Sequence, residues 1–283
     1  MFSPEELKRI LQESDVIKNV SIIKEAKLFE NVYQTVLQGE LVINERESFV
    51  VYIAVPEKWY RDLVDIYVAD YNELVYMPHI DNKGKLCLFE TEGILIDQNL
   101  PGIMMQSLLR AQTILKQGFS GENKNDFINE FELYWAQLKD CRIAHLAVET
   151  DRKNRIVKGG IKKSSKRKKE KQIEYIKRCK KAPIYIGENV ESLKRWNLEK
   201  TPVMNIAYFV IYSEKYIFPP DIRKKLSIDY LNALLHFVPE GELASIMPRS
   251  RQDRIIVFEI HQPSGQTHFC LLYTSDAADD RIS

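Results

Sequence analysis

The stretch "LFENVYQTVLQGELVIN" (28–44) is dense in β-branched and aromatic residues, and "SFVVYIAV" (48–55) and "DIYVA" (65–69) follow closely. Such runs read as strands. Their connections are short and polar, so each strand must turn back on the last. A parallel pairing would need a crossover of about a dozen residues or more. The spacing therefore predicts an antiparallel meander of four strands, with Gly39 splitting the first run in two.

Helices flank the meander. Ser3-Pro4-Glu5-Glu6 has a capping serine, a proline suited to the first helical position and a glutamate that closes a capping box. Leu7, Ile10 and Leu11 then recur at helical spacing. Downstream, "NLPGIMMQSLLRAQTILKQG" (99–118) predicts a helix capped by Asn99 and ended by Gly118. "NDFINEFELYWAQLKD" (125–140) predicts another, with Phe127, Phe131, Tyr134, Trp135 and Leu138 in one wide apolar stripe. The fold class that follows is α+β. Residues 1–148 form one domain: N-terminal helix, four-stranded antiparallel meander, C-terminal helices.

Composition narrows the class. The chain has 283 residues, 45% hydrophobic and 29% charged, which is globular rather than disordered. No apolar run approaches the ~20 residues of a membrane span. "MFSPEELKRI" lacks the apolar centre of a signal peptide. Cys87, Cys141, Cys179 and Cys270 show no C-x-x-C spacing, which argues against zinc or a disulfide framework and for a reducing, cytoplasmic setting. The scattered His145, His236, His261 and His268 suggest no metal set, and no Gly-rich phosphate loop is present, so no cofactor is expected.

The net charge of +1 hides an asymmetry. Residues 152–181 hold 15 Lys/Arg against 2 Asp/Glu, while the rest of the chain holds 26 against 38. Residues 149–182 read as a basic linker, loosened by Gly159-Gly160 and Ser164-Ser165. Lysine clusters attract phosphates, but Tyr175 is the one aromatic there, so nucleic-acid binding is poorly supported. Residues 183–273 predict a second, small α/β domain. It has strands at 204–213, 254–260 and 267–273, and a helix at 227–238 capped by Ser227. Residues 274–283 carry no apolar pattern and stop the domain just after a strand. They read as a non-native tail, with a further domain expected beyond.

One segment carries chemistry. In "YMPHIDNKGKLCLF" (76–89), Cys87 follows a turn at Asp81-Asn82-Lys83-Gly84, and Pro78 stiffens the chain before His79. A strand cysteine packed as a small hydrophobe is the commoner arrangement. The punctuation around Cys87 favours a nucleophile emerging from a loop. Asp81, Glu90 and Asp97 lie near it in sequence and read as loop acids, or as groups that orient an incoming amine.

Met77-Pro78-His79, Gly84 and Cys87-Leu88 resemble the motif of ubiquitin-conjugating enzymes, where His-Pro-Asn stands eight residues before the catalytic cysteine. The order helix, meander, motif, helices is also similar. More particularly, residues 1–148 look like the bacterial ubiquitin-conjugating-like domains fused to ThiF-type adenylating domains in antiphage operons. Residues 194–237 look like the linking domain of those fusions. The resemblance implies a transferase with Cys87 as thioester carrier and His79, in the place of the motif Asn, as oxyanion donor. The implied partners are a ubiquitin-like protein, a ThiF-type adenylating domain, fused or separate, and a nucleotide cyclase as a candidate target. Two other functions fit the residues: a non-catalytic binding module of the same fold, and a nucleic-acid adaptor acting through the basic linker.

Overall fold

The computed structural model describes residues 2–24, 27–28, 31–89, 98–138, 144–150, 153–162, 167–168, 171, 174, 182–198, 201–247 and 255–273. Glu90, Asp97, Cys141, Cys179, most of the basic run and the tail 274–283 lie outside them. Two compact units divide the chain, Met1–Asn129 and Glu130–Ser283.

The first unit opens with α1 (Pro4–Gln12). Its capping box is made as the sequence predicts: Ser3 Oγ accepts from Glu6 N, and Glu6 Oε2 accepts from Ser3 N at 2.7 Å. Leu7 and Leu11 are its buried residues. Then come β1 (Ile17–Ile22), a small hairpin of β2 (Lys27–Leu28) and β3 (Asn31–Val32), β4 (Thr35–Val42), β5 (Ser48–Val55) and β6 (Asp65–Val68). The sheet is antiparallel in the order β1-β4-β5-β6.

The strand count is the predicted one, but its members differ. The sequence predicts no strand at 17–22, and within the first predicted run Leu28, Asn31 and Val32 belong to the hairpin. Gly39 does not break β4. A Cβ there would stand 2.6 Å from Ile17 Cδ1. The β1–β4 register also shifts between Lys18 and Ser21, with Asn19 at φ 54°. Gly39 thus admits a tightly approaching, bulged edge strand.

Helix α2 (Leu100–Ser120) starts where Asn99 accepts from Gly102 N, as expected. It ends at Gly121, φ 75°, and not at Gly118. Gly118 is buried inside the helix, where a Cβ would collide with Met77 Sδ. That close approach seats the chain just before Pro78-His79 against α2. Met104, Leu108, Ala111 and Leu115 pack with Leu7, Leu11, Leu37, Leu41, Ile53 and Ile66 in one core. Each such buried side chain contributes roughly 1.5–3 kcal/mol of transfer free energy.

The single helix expected over 125–140 is two short ones, α3 (Asp126–Asn129) and α4 (Phe131–Ala136). The unit boundary falls between them, at Asn129 instead of residue 148. The wide apolar stripe therefore serves two cores. Phe127 stacks on Tyr76, centroids 4.8 Å apart, in the first unit. Phe131 and Trp135 belong to the core of the second.

The second unit continues with β7 (Ala144–Ala147), β8 (Arg155–Ile161), β9 (Ile184–Gly187), a 3-10 turn (Ser192–Trp196), β10 (Met204–Tyr212), α5 (Ile228–Leu235), α6 (Glu240–Ile246), β11 (Ile255–His261) and β12 (Thr267–Tyr273). The sheet order is β12-β11-β10-β8-β9-β7. Strands β10 and β11 are parallel and flank α5 and α6 in sequence; β7 and β9 are also parallel. Ser227 caps α5 by accepting from Tyr230 N.

Two expectations are corrected here. This unit starts at Glu130 rather than 183, and residues 155–161 of the expected linker form β8, paired on both sides. The lysine count masks a strand whose Val157, Gly159 and Gly160 are buried. Gly159 tightens the fold instead of loosening it, because a Cβ there would collide with Ile206 Cδ1.

One sheet face carries Phe209, Ile211, Phe258, Ile260 and Cys270 against Phe131, Trp135, Leu234 and Ile246. Cys270 is completely buried and packs there as a small hydrophobe. The other face carries Val157, Ile186, Tyr208, Val257 and Leu271.

His268 is buried and stacks on Phe131 with centroids 5.0 Å apart. Its Nε2 has no hydrogen-bond partner among the described residues. Burial pushes its pKa below 6.5, against a smaller opposing pull from Glu132. A folded-state pKa below the unfolded value means the unfolded chain binds the extra proton. Stability from this site is thus complete above about pH 6.5 and falls as the pH drops below it. His268→Phe is expected to flatten the stability difference between about pH 7 and about pH 5, measured by urea unfolding. Parallel profiles for both proteins would contradict this.

Among the described residues no helix is long and apolar enough to cross a membrane, and no group of His, Cys, Asp or Glu is placed to hold a metal ion.

Candidate active site

Residues 79–87 form a tight hairpin laid along the outer side of β6. Ile80 pairs with Leu86, and Cys87 N donates to His79 O at 2.9 Å. Leu86 N donates to Ile66 O, and Val68 N to Gly84 O, so the hairpin covers an edge that would otherwise expose unpaired backbone groups. Asp81 Oδ1 accepts from both Lys83 N and Lys85 N, which commits this acid to the turn. Gly84 sits at φ 80°, with space for a Cβ closed off by Val68 O at 2.7 Å. Tyr71 Oη donates to Asn82 O.

Alternation decides where the sulfur goes. Leu86 and Leu88 are buried in the core, so Cys87 between them faces outward. It is exposed, unlike Cys270. Arg110 on α2 donates from Nε to Leu88 O at 3.3 Å and fixes the backbone just after the cysteine. Before it, Lys85 forms an ion pair with Asp65 at 2.7 Å. Burial, the largest single influence, lowers the pKa of Lys85, but the hydrogen bond and charge of Asp65 together with Tyr67 and Asp81 outweigh it and the net shift is upward, so the ammonium persists. Asp65 also accepts from Tyr33 Oη, which shares a 2.7 Å hydrogen bond with Tyr67 Oη.

His79 lies opposite Cys87 across the hairpin. Its backbone is left-handed, φ 65°, an uncommon state for a residue with a Cβ. Its Nε2 stands 2.9 Å from Asp126 Oδ2, at the start of α3. Sequence inspection does not pair these two, because 47 residues separate them and no periodicity links a turn to a later helix start. The structure thus brings Cys87 and His79 together through the backbone and adds Asp126 and Arg110 as supports. Asp81, one of the acids near Cys87 in sequence, spends its Oδ1 on the turn.

A scan against protein-family models matches residues 19–143 to prokaryotic E2 family B. Residues 19–143 are thus similar to a prokaryotic E2-like domain. The match encloses the hairpin, Cys87, His79 and Asp126. No curated protein and no solved structure matches the chain. That similarity suggests a ubiquitin-like conjugation role, with a ubiquitin-like protein as partner.

Proposed function

We propose that this E2-like domain carries a ubiquitin-like protein as a thioester on Cys87 and passes it to an amine. The observation that carries this reading is the exposure of Cys87 at the end of an anchored hairpin inside the family match. A thiolate is a strong nucleophile, and its thioester stays reactive toward amines. The non-catalytic module of the same fold calls for a shielded thiol, which an outward-facing Cys87 does not provide.

A ThiF-type adenylating domain, fused or separate, supplies the activated modifier in this proposal. The resemblance to antiphage fusions makes a nucleotide cyclase the first target to try. The test supplies an adenylating partner, ATP and a ubiquitin-like protein, and follows adducts by mass. Wild type is expected to gain a covalent, reductant-labile adduct and Cys87→Ala to gain none. An adduct retained in Cys87→Ala removes the assignment.

A further inference from the structure

The hairpin sets a lysine two residues from the proposed carrier. Leu86 and Leu88 turn into the core, so Lys85 and Cys87 share the outer face of this segment. Two residues along an extended chain span about 6.7 Å, a gap that a four-carbon lysine stem can cross. The neighbouring strand draws the amine toward the cysteine. Tyr67 bridges Lys85 in antiparallel register, and Leu86 N donates to Ile66 O. The same register continued one step sets Asp65 opposite Cys87. Lys85 Nζ pairs with Asp65 Oδ1 at 2.7 Å, so its stem leans diagonally to that register position.

A free amine within reach of a thioester takes its acyl group, which is the reaction proposed for the target amine. Resting on the carrier role proposed for Cys87, we infer that Lys85 is a latent self-acylation site. Asp65 keeps it silent by holding the amine charged and tethered, so a modifier on Cys87 lasts until an outside amine arrives.

Asp65 is itself held for this task. Its Oδ2 accepts from Tyr33 Oη at 2.9 Å, and Tyr33 shares a hydrogen bond with Tyr67. The backbone of Lys85 is fixed on the other side, where its N–H donates to Asp81 Oδ1 and its carbonyl accepts from Asp81 N. Burial is the largest influence on the Lys85 amine and pulls its pKa down, while the hydrogen bond and charge of Asp65 lead those that raise it. With the carboxylate gone, burial acts less opposed and the proton leaves more readily.

The step balances without an outside reagent. The ammonium has no lone pair and cannot attack. After it releases one proton to water, Lys85 Nζ adds to the thioester carbonyl carbon, forming the C–N bond. The tetrahedral intermediate collapses, the C–S bond breaks and sulfur leaves as the Cys87 thiolate. That thiolate takes the second proton shed by nitrogen, leaving an amide on Lys85 and a Cys87 thiol.

The experiment loads the full chain at Cys87 by exchange with the mercaptoethanesulfonate thioester of acetyl-Gly-Gly and then adds no amine. Intact mass with and without reductant separates thioester from amide, and peptide fragmentation places the amide. Wild type is expected to keep a reductant-labile adduct. Asp65→Asn is expected to convert it to a reductant-resistant amide on Lys85 about tenfold faster, the gain in free amine that a tenfold weaker hold on the proton gives. Adding Lys85→Arg to Asp65→Asn is expected to restore the thioester, and Asp65→Glu to behave nearly as wild type. A second measurement needs no loading. In a Cys87→Ser background, trace labelling with the N-hydroxysuccinimide ester of acetate is expected to reach Lys85 faster once Asp65→Asn is added, with the exposed Lys116 as an unchanged reference.

A thioester equally long-lived in wild type and Asp65→Asn overturns the inference. So does an amide formed at another lysine, or labelling of Lys85 indifferent to Asp65. A Cys87 that takes no acyl group at all sinks the carrier role, and the inference with it. A Cys87 that loads, beside a Lys85 that stays unacylated in Asp65→Asn, sinks the inference alone.

Discussion

A fragment of residues 130–283 is expected to fold cooperatively, while one of residues 183–283 is expected to remain unfolded or aggregate. The shorter fragment lacks β7 and β8. Strand β8 pairs with β10 on one side and β9 on the other, so its loss parts a six-stranded sheet in the middle. It also lacks Phe131 and Trp135, which close one face over Phe209, Phe258 and Cys270. Each such aromatic buries roughly 150–250 Å², and Trp135 Nε1 donates to Leu271 O at 2.9 Å. The mirror experiment concerns the first unit. Residues 1–129 keep a core drawn wholly from positions up to 115, with Phe127 and Ile128 added. Residues 1–148 would append Phe131, Tyr134 and Trp135 with no sheet to bury them, and are expected to bind a hydrophobic dye and self-associate. Urea unfolding and size exclusion decide both comparisons. A cooperative transition for 183–283 would refute the placement of β8 in this core.

Why those boundaries hide in the sequence is instructive. Periodicity detects an apolar face but does not say which core receives it. Phe127 and Phe131 are one helical turn apart on paper, yet they pack in different units. Charge counting has the same blindness. Residues 152–181 look solvated because lysines dominate, although Val157 is fully buried at the centre of a sheet. Local chemistry reads better. The Ser3–Glu6 box, the Asn99 and Ser227 caps and the turn before Cys87 all stand where their side chains predict, since each is satisfied within a few residues.

The candidate site divides along the same line. Cys87 and the turn are legible because Leu86 and Leu88 flank the cysteine and a strand alternates. Asp126 and Arg110 are not, because they reach the hairpin only through tertiary structure. Glycines mislead for a related reason. Gly39, Gly118 and Gly159 look like breaks, but each sits inside a regular element where another side chain comes too close for a Cβ.

The second unit holds a buried carboxylate whose removal is expected to cost more than any surface change. Glu259 is fully buried. Its Oε2 accepts from Tyr208 Oη at 2.5 Å, and its Oε1 lies 2.8 Å from His261 Nε2. Burial, and then the bond to Glu259, pushes the Tyr208 hydroxyl far above its ordinary pKa, so it remains a donor. His261 Nδ1 in turn meets Thr267 Oγ1 at 3.1 Å, and the Arg155 guanidinium lies 4.5 Å from the Tyr208 ring centroid while pairing with Glu188. Glu259→Ala strands two polar groups and opens a cavity between them. Unsatisfied buried groups cost about 1–3 kcal/mol each, so the second unit should lose about 2–6 kcal/mol in urea unfolding. Glu259→Gln keeps the volume and one carbonyl acceptor and should lose less. In a double-mutant cycle, Tyr208→Phe with Glu259→Ala should cost less than the sum of the two, because the first change removes one of the groups the second strands. Additive losses, or a Glu259→Ala variant as stable as wild type, would mean that water satisfies these atoms and that the network does not hold β10 to β11.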